Sequence, residues 1–164
     1  MNLLKINLGC GTRPAKGYVN VDINPEVKPD KVFDCSIPLT RVFKAGEAVE
    51  IKAIHLLEHL EFGRACAALR SWHKVLRPGG KLIIEMPNIE VLAACFLKFP
   101  DQRDVIKEWI FGGQDRDGQY HKWGWTPAEL QYELEEIGFL TSIVTQPKDH
   151  LNWPDASFRV EAVK

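Results

Sequence analysis

The apolar pattern of this chain switches period along its length, and that switching most limits what it can fold into. Residues 3–8, Leu-Leu-Lys-Ile-Asn-Leu, form a short, mostly apolar run that stops at Gly9-Cys10-Gly11. Residues 18–23 alternate as a strand does and stop at Asn24-Pro25; residues 31–33 and 51–57 are further runs of that kind, with weak helical character between them over 39–50. The period then lengthens. Leu60, Phe62, Cys66, Leu69, Trp72, His73 and Leu76 recur at three- and four-residue steps, which predicts an amphipathic helix ended by Arg77-Pro78-Gly79-Gly80. Residues 81–86 read as a fifth strand, 88–99 as a helix and 100–126 as an irregular stretch rich in aromatics and glycine. Thr126-Pro127-Ala128-Glu129 has the form of a capping box opening a last helix, which Gly138 ends. Residues 139–146 and 157–163 read as two closing strands.

Strands alternating with helices predict an α/β fold with a mainly parallel, doubly wound sheet covered on both faces. Ligands of such sheets bind beyond the carboxyl ends of the strands. Chemistry-bearing residues stand at those places: Gly9–Gly11, Asp22, Asp34, Glu58–His59 and Pro87–Asn88. Asn88 is expected to cap the helix after the fifth strand.

A chain of 164 residues suits one domain, 1–164, in which 96–125 stands apart as an aromatic-rich segment. The net charge of −1 leaves no broad attraction for a phosphate backbone, so a nucleic-acid partner is not expected. Cys10, Cys35, Cys66 and Cys95 include no C-x-x-C pair, which suits reduced thiols in a cytoplasmic protein better than a zinc knuckle or a disulfide framework. Neither a signal peptide nor a membrane span is expected.

His55-Leu56-Leu57-Glu58-His59 fits H-x-x-E-H, an inverted zinc-peptidase signature. That chemistry needs both histidines on one helix face. Here the residues before His55 alternate as a strand and the helix follows His59. Two residues four apart on a strand stand roughly 13 Å from each other, too far for one ion. The expectation is therefore no metal, with His55 a satisfied histidine and Glu58 and His59 in a turn. A dinucleotide site is a poor fit too: Pro14 stands where G-x-G-x-x-G needs its third glycine, and Asp22 comes too early.

Asn7-Leu8-Gly9-Cys10-Gly11, Gly17-Tyr18-Val19-Asn20-Val21-Asp22, Leu57-Glu58-His59-Leu60, Val75-Leu76-Arg77-Pro78-Gly79-Gly80 and Ile137-Gly138-Phe139 occur in this order. Together they resemble the class I S-adenosylmethionine-dependent methyltransferases, in particular small ones with a very short first crossover. The resemblance implies a Rossmann-like sheet of order 3-2-1-4-5-7-6 with strand 7 antiparallel. It implies S-adenosylmethionine as cofactor and S-adenosylhomocysteine as product. Gly9, Cys10 and Gly11 would lie against the amino-acid and ribose portions, and Asp22 would hold the ribose hydroxyls. Ile23 would pack on the adenine, Asp34 would accept from its amino group, and the Cys35 N–H would meet the ring; Asp30 is close to Asp34 and turns favour aspartate, so it competes for the same place. Leu57 and neighbouring backbone would contact the methionine end. The resemblance also includes Gly112-Gly113-Gln114 followed by a histidine, here His121.

Two departures matter. Many relatives carry an acid where this chain has Asn7. Only nine positions, 9–17, separate the first two strands, and a helical crossover takes about ten or more. At most one helical turn is expected there, leaving the cofactor pocket more open than usual. The acceptor would be a small molecule or saccharide, with residues 96–125 as lid, partner surface or satellite core. His59 or His121 would serve as general base for a hydroxyl acceptor. The alternative is a non-catalytic cofactor-binding or interaction module on the same fold.

Overall fold

The computed structural model describes residues 3–115, 118–145 and 156–164. Seven strands form one sheet in the order β3-β2-β1-β4-β5-β7-β6. They are β1 (Leu4–Leu8), β2 (Val19–Asp22), β3 (Lys31–Val32), β4 (Ala48–Ile54), β5 (Leu76–Pro87), β6 (Thr141–Thr145) and β7 (Ser157–Val163). The first five pair in parallel, and β7 runs antiparallel between β5 and β6. The order and the reversed seventh strand agree with the expectation. Residues 146–155, which join the closing strands, and Arg116 and Asp117 lie outside the described residues.

Alternation along each strand sends the apolar side chains to one face. Ile6, Leu8, Val21, Ile51, Ala53, Leu82, Ile84 and Met86 meet Phe158, Val160 and Ala162 there. Two helices cover that face. From α1 (Phe62–Val75) come Ala65, Leu69 and Trp72; from α4 (Pro127–Ile137) come Leu130 and Leu134. Trp72 and Trp125 are completely buried in this core.

The other face differs from the expectation of helices on both sides. The crossovers 9–18 and 23–30 hold turns and one short 3-10 segment, Pro25–Val27, so neither lays an α-helix across the sheet. Too few residues are present for a helix and its two turns. Ile83 is buried on this face, and most of the other side chains there are polar, several of them paired with each other. Lys5 reaches Glu50 at 3.4 Å, Asn7 donates to Asn20 at 2.9 Å, and Arg159 binds Glu85 at 2.8 Å and Glu161 at 2.9 Å.

Two further elements follow β5. Asn88 caps α2 (Ile89–Lys98), its Oδ1 accepting from the Glu90 N–H at 3.1 Å. The stretch expected to be irregular contains a helix, α3 (Arg103–Phe111). Its apolar residues Ile106, Trp109 and Ile110 fall at three- and four-residue steps and close against Leu92, Cys95 and Phe96 of α2 in a small second core. The aromatics of 96–125 therefore divide: Phe96 and Trp109 join this satellite, Trp125 joins the main core, and Phe111, Tyr120 and Trp123 stay substantially exposed. The weak helical pattern at 39–50 resolves into a 3-10 turn, Leu39–Arg41, followed by the start of β4. No helix among the described residues is long and apolar enough to cross a membrane.

Candidate functional site

Residues that follow β1, β2, β3 and β4 enclose a cleft of about 660 Å³. Its floor is the turn after β1. Gly9 has φ +64°, and a Cβ built there would stand 3.0 Å from Leu56 Cδ1, so a side chain would strain the backbone and press on Leu56. The Gly11 N–H donates to Asp22 Oδ2 at 2.8 Å, and the Asn24 N–H donates to Asp22 Oδ1 at 2.9 Å. These bonds fix the carboxylate at the end of β2. A carboxylate has about four acceptor directions, so two remain for a ligand.

Ile23, 64 % exposed, lines the same cleft, as do Phe33, Asp34 and Cys35 after β3. Two aspartates compete for a role here in sequence, and the structure separates them. Asp34 lines the cleft, its Oδ1 accepting from the Ser36 N–H at 2.8 Å. Asp30 instead pins β2: its Oδ2 accepts from the Asn20 N–H at 2.8 Å and Asn20 Nδ2 at 3.1 Å, and those bonds hold its carboxyl below the usual range. Burial pushes the Cys35 thiol up to about 12, so it stays protonated. Cys10 and Leu57 are placed differently from Gly9 and Gly11. Cys10 is buried, its N–H donating to the Val21 carbonyl, and the Leu57 side chain lies wholly in the main core. Leu56 lines the cleft wall in its stead. Asn7 is also occupied, donating to Asn20 Oδ1, which in turn accepts from the Ala15 N–H at 2.7 Å. The residue in place of the usual acid thus braces the short crossover.

The opposite wall is the turn after β4. His55 adopts φ +51°, a left-handed conformation uncommon for a residue with a side chain, and its N–H donates to the Glu85 carbonyl at 2.9 Å. The chain then makes a 3-10 turn, Leu57–His59, and Glu58 turns inward to only 2 % exposure. His55 Nδ1 and Glu58 Oε1 are 3.0 Å apart. Burial pushes the Glu58 carboxyl up, but the His55 hydrogen bond and the charges of His55 and His59 outweigh it and hold it below its ordinary value. Burial pushes His55 down, but the hydrogen bond and charge of Glu58, with Glu85, leave it raised.

Glu58 also ties this turn to the segment before α4. Its carbonyl accepts from the Lys122 N–H at 2.8 Å and the Trp123 N–H at 3.3 Å. That brings His121 beside His59, with ring centroids 4.9 Å apart in an edge-on arrangement of 73°. His59 Nδ1 lies 3.1 Å from the Tyr120 carbonyl, and His121 Nδ1 lies 3.1 Å from the Trp109 carbonyl. Burial, with the charges of His59 and His55, lowers the His121 pKa against the pull of Glu58. One ligand-type atom from each of Glu58, His59 and His121 lies within 4.8 Å of the others. His55 is not one of the three; it sits on Glu58's other side.

The structure therefore brings the two histidines singled out in sequence into one place. Sequence reasoning placed Glu58 in the turn beside His59 but not as a neighbour of His121; the His55-x-x-Glu58 spacing was the available signal for its burial. It also missed Leu56, Arg64 and Lys122, which line the cleft and carry no motif of their own.

No protein-family description matches the chain, and no curated protein matches it by sequence. Solved structures do match. A SAM-dependent methyltransferase from Archaeoglobus fulgidus aligns over 99 % of this chain and 86 % of its own, with TM-score 0.69 and 16 % identity. One from Methanosarcina mazei aligns over 100 % and 93 %, with TM-score 0.66 and 17 % identity. The trans-methyltransferase CalH, solved in complex with SAH, aligns over 99 % of this chain and 51 % of its own, with TM-score 0.64 and 19 % identity. Likeness at these identities is likeness of fold, and this chain has the Rossmann-like fold of the SAM-dependent methyltransferases.

Proposed function

We propose that the chain is a SAM-dependent methyltransferase acting on a small-molecule or saccharide acceptor. The observation that carries this reading is one cleft with a bare glycine turn and a fixed carboxylate, Asp22, on one wall and His59 on the other. The residues present fit the cofactor. Gly9 leaves room that a Cβ would fill, and Asp22 keeps two acceptor directions for vicinal ribose hydroxyls. When bound, S-adenosylmethionine supplies a methyl group on a positively charged sulfur.

In this reading Ile23 packs on the adenine face, and Asp34 accepts from the adenine amino group. The Cys35 N–H donates to a ring nitrogen, and the backbone around Leu57, with the Leu56 side chain, bounds the methionine end. His59 and His121 stand where an acceptor hydroxyl would lose its proton, and a neutral His121 is suited to take it. Alignment does most of the remaining work, because holding acceptor and methyl at near-attack distance converts an encounter into a single bound step. Residues 96–125 supply the acceptor side, with exposed Tyr120 at the cleft edge.

Calorimetry with S-adenosylhomocysteine tests the reading. Wild-type protein is expected to bind one equivalent, and Asp22→Ala to weaken binding about 10- to 100-fold, the loss of hydrogen bonds to a charged acceptor. Absence of binding, or an unchanged affinity in the variant, overturns it. Binding without turnover on any acceptor tried would return the chain to the non-catalytic module.

A further inference from the structure

We infer that Glu58, His59 and His121 form a binding site for one divalent first-row transition-metal ion on the acceptor side of the cleft. Three independent observations converge. The donor atoms lie within 4.8 Å of one another on two separate segments, the turn after β4 and the stretch before α4. Glu58 is 2 % exposed, and its Oε2 is buried without a hydrogen-bond partner among the described residues, while Oε1 is held by His55. A buried carboxylate oxygen left unsatisfied is rare and needs a partner of some kind. Each histidine turns Nδ1 to a backbone carbonyl, Tyr120 for His59 and Trp109 for His121. That second contact is the one metal-ligating histidines make: with the proton on Nδ1, the Nε2 lone pair is left for an ion.

The donor set selects the ion class. Two imidazoles and one carboxylate suit zinc, manganese, iron, cobalt or nickel better than magnesium or calcium, which prefer all-oxygen cages. Bonds of about 2.0–2.2 Å place any two ligand atoms no more than roughly 4.4 Å apart, so small side-chain rotations complete the site. His55 then acts as a positioning residue, orienting Glu58 through Oε1 while Oε2 faces the ion.

Three protein ligands leave coordination positions open. His59 borders the cleft, so those positions face the space where an acceptor would lie. Two adjacent oxygens, a vicinal diol or a hydroxy-acid, would fill them. With the ion bound, His59 and His121 would serve as its ligands instead of as bases; the ion would lower the pKa of a bound hydroxyl, whose proton would pass to solvent and whose oxygen would form the bond to the methyl carbon as the sulfur–methyl bond breaks. This last consequence rests on the proposed methyl transfer; the ion site itself does not.

Cobalt(II) is the probe. Full-length protein, stripped with chelator, is expected to bind one equivalent and develop visible d–d absorption. His59→Asn and His121→Asn, checked for fold by circular dichroism, are expected to weaken cobalt binding by about 100-fold or more, beyond the 10- to 100-fold typical of outer-shell changes. Glu58→Gln should weaken it and alter the spectrum. In wild-type protein, bound cobalt should shift or broaden the His59 and His121 imidazole proton resonances before those of the other histidines. That readout holds even where a variant misfolds. No saturable binding, or binding with both resonances undisturbed, overturns the site. Asp22→Ala should bind cobalt as the wild type does while losing affinity for S-adenosylhomocysteine; wild-type protein that binds cobalt but no S-adenosylhomocysteine would defeat the methyltransferase reading and leave the ion site standing.

Discussion

At Gly112 a single missing side chain decides where His121 stands. Its φ is +80°, and a Cβ there would come within 1.8 Å of the Gln119 carbonyl oxygen and 3.1 Å of the His121 nitrogen. The His121 N–H donates to the Phe111 carbonyl just before it. Gly112→Ala is expected to lower stability by about 1–3 kcal/mol, the strain of an unsuitable backbone conformation, in urea denaturation, and to displace His121. A variant as stable as the wild type would mean that the loop moves aside freely. His73 offers a pH test away from the cleft. It packs edge-on against Phe139 at 4.9 Å, and burial together with the Lys164 charge lowers its pKa. A histidine with a lowered folded pKa binds fewer protons folded than unfolded. Its effect is absent well above its ordinary value of 6.5, and it removes stability as pH falls through 6.5 toward the lowered value. His73→Gln is therefore expected to gain on the wild type as pH is lowered from 7.5, in urea midpoints taken across that range. A constant difference would contradict it. At this scale the sequence was informative where a residue type has few uses, as with Gly9 and Asp22. It was ambiguous where several residues could serve: Asp30 and Asp34 are equally plausible acids until hydrogen bonds assign the first to Asn20.

Elements were legible in proportion to their local signals. Thr126 caps α4, its Oγ1 accepting from the Glu129 N–H at 3.1 Å. The return half of the capping box does not appear as expected, because Glu129 Oε2 takes the Trp123 indole N–H at 3.3 Å. Thr126→Ala is expected to cost about 1 kcal/mol in equilibrium unfolding, the usual worth of an N-cap. A negligible change would assign helix entry to Pro127 instead. The helix α3 escaped notice because it is only nine residues long, has no capping side chain and sits among aromatics that loops also favour. Its three- and four-residue apolar spacing becomes meaningful only with α2 beside it. The strand β5 was read as beginning at Lys81, after the Pro-Gly-Gly turn signal, yet it starts at Leu76. Leu76 pairs alone with Ala48 of β4, and the ladder resumes at Lys81 opposite Glu50, so the turn signal at 77–80 survives as an irregularity inside the strand.

Across the whole molecule, the sheet has an apolar side under helices and a charged side. Glu85 and Arg159 sit on the charged side, 2 % and 8 % exposed, opposite each other on β5 and β7. Arg159→Met is expected to destabilise by about 3–5 kcal/mol because it leaves Glu85 buried and unpaired, whereas Glu85→Met with Arg159→Met should recover most of that. Chemical denaturation of the three proteins checks it, and equal losses in single and double variants would argue against it. The sheet order could be anticipated from the motif order. The lack of helices on this face could not be read from periodicity, since alternating polar residues look alike whether they meet solvent or each other.

The placement of β7 carries a consequence for biosynthesis. This strand lies inside the sheet, hydrogen-bonded to β5 on one side and β6 on the other, although it follows both in the sequence. A nascent chain leaving the ribosome can pair β1 with β2 and β4 early, but β6 has no neighbour until Ser157–Val163 emerges. Non-local pairing of this kind closes slowly. Until Ser157–Val163 pairs, the inner edge of β5 stays open, so this end of the sheet is completed after the part built on β1.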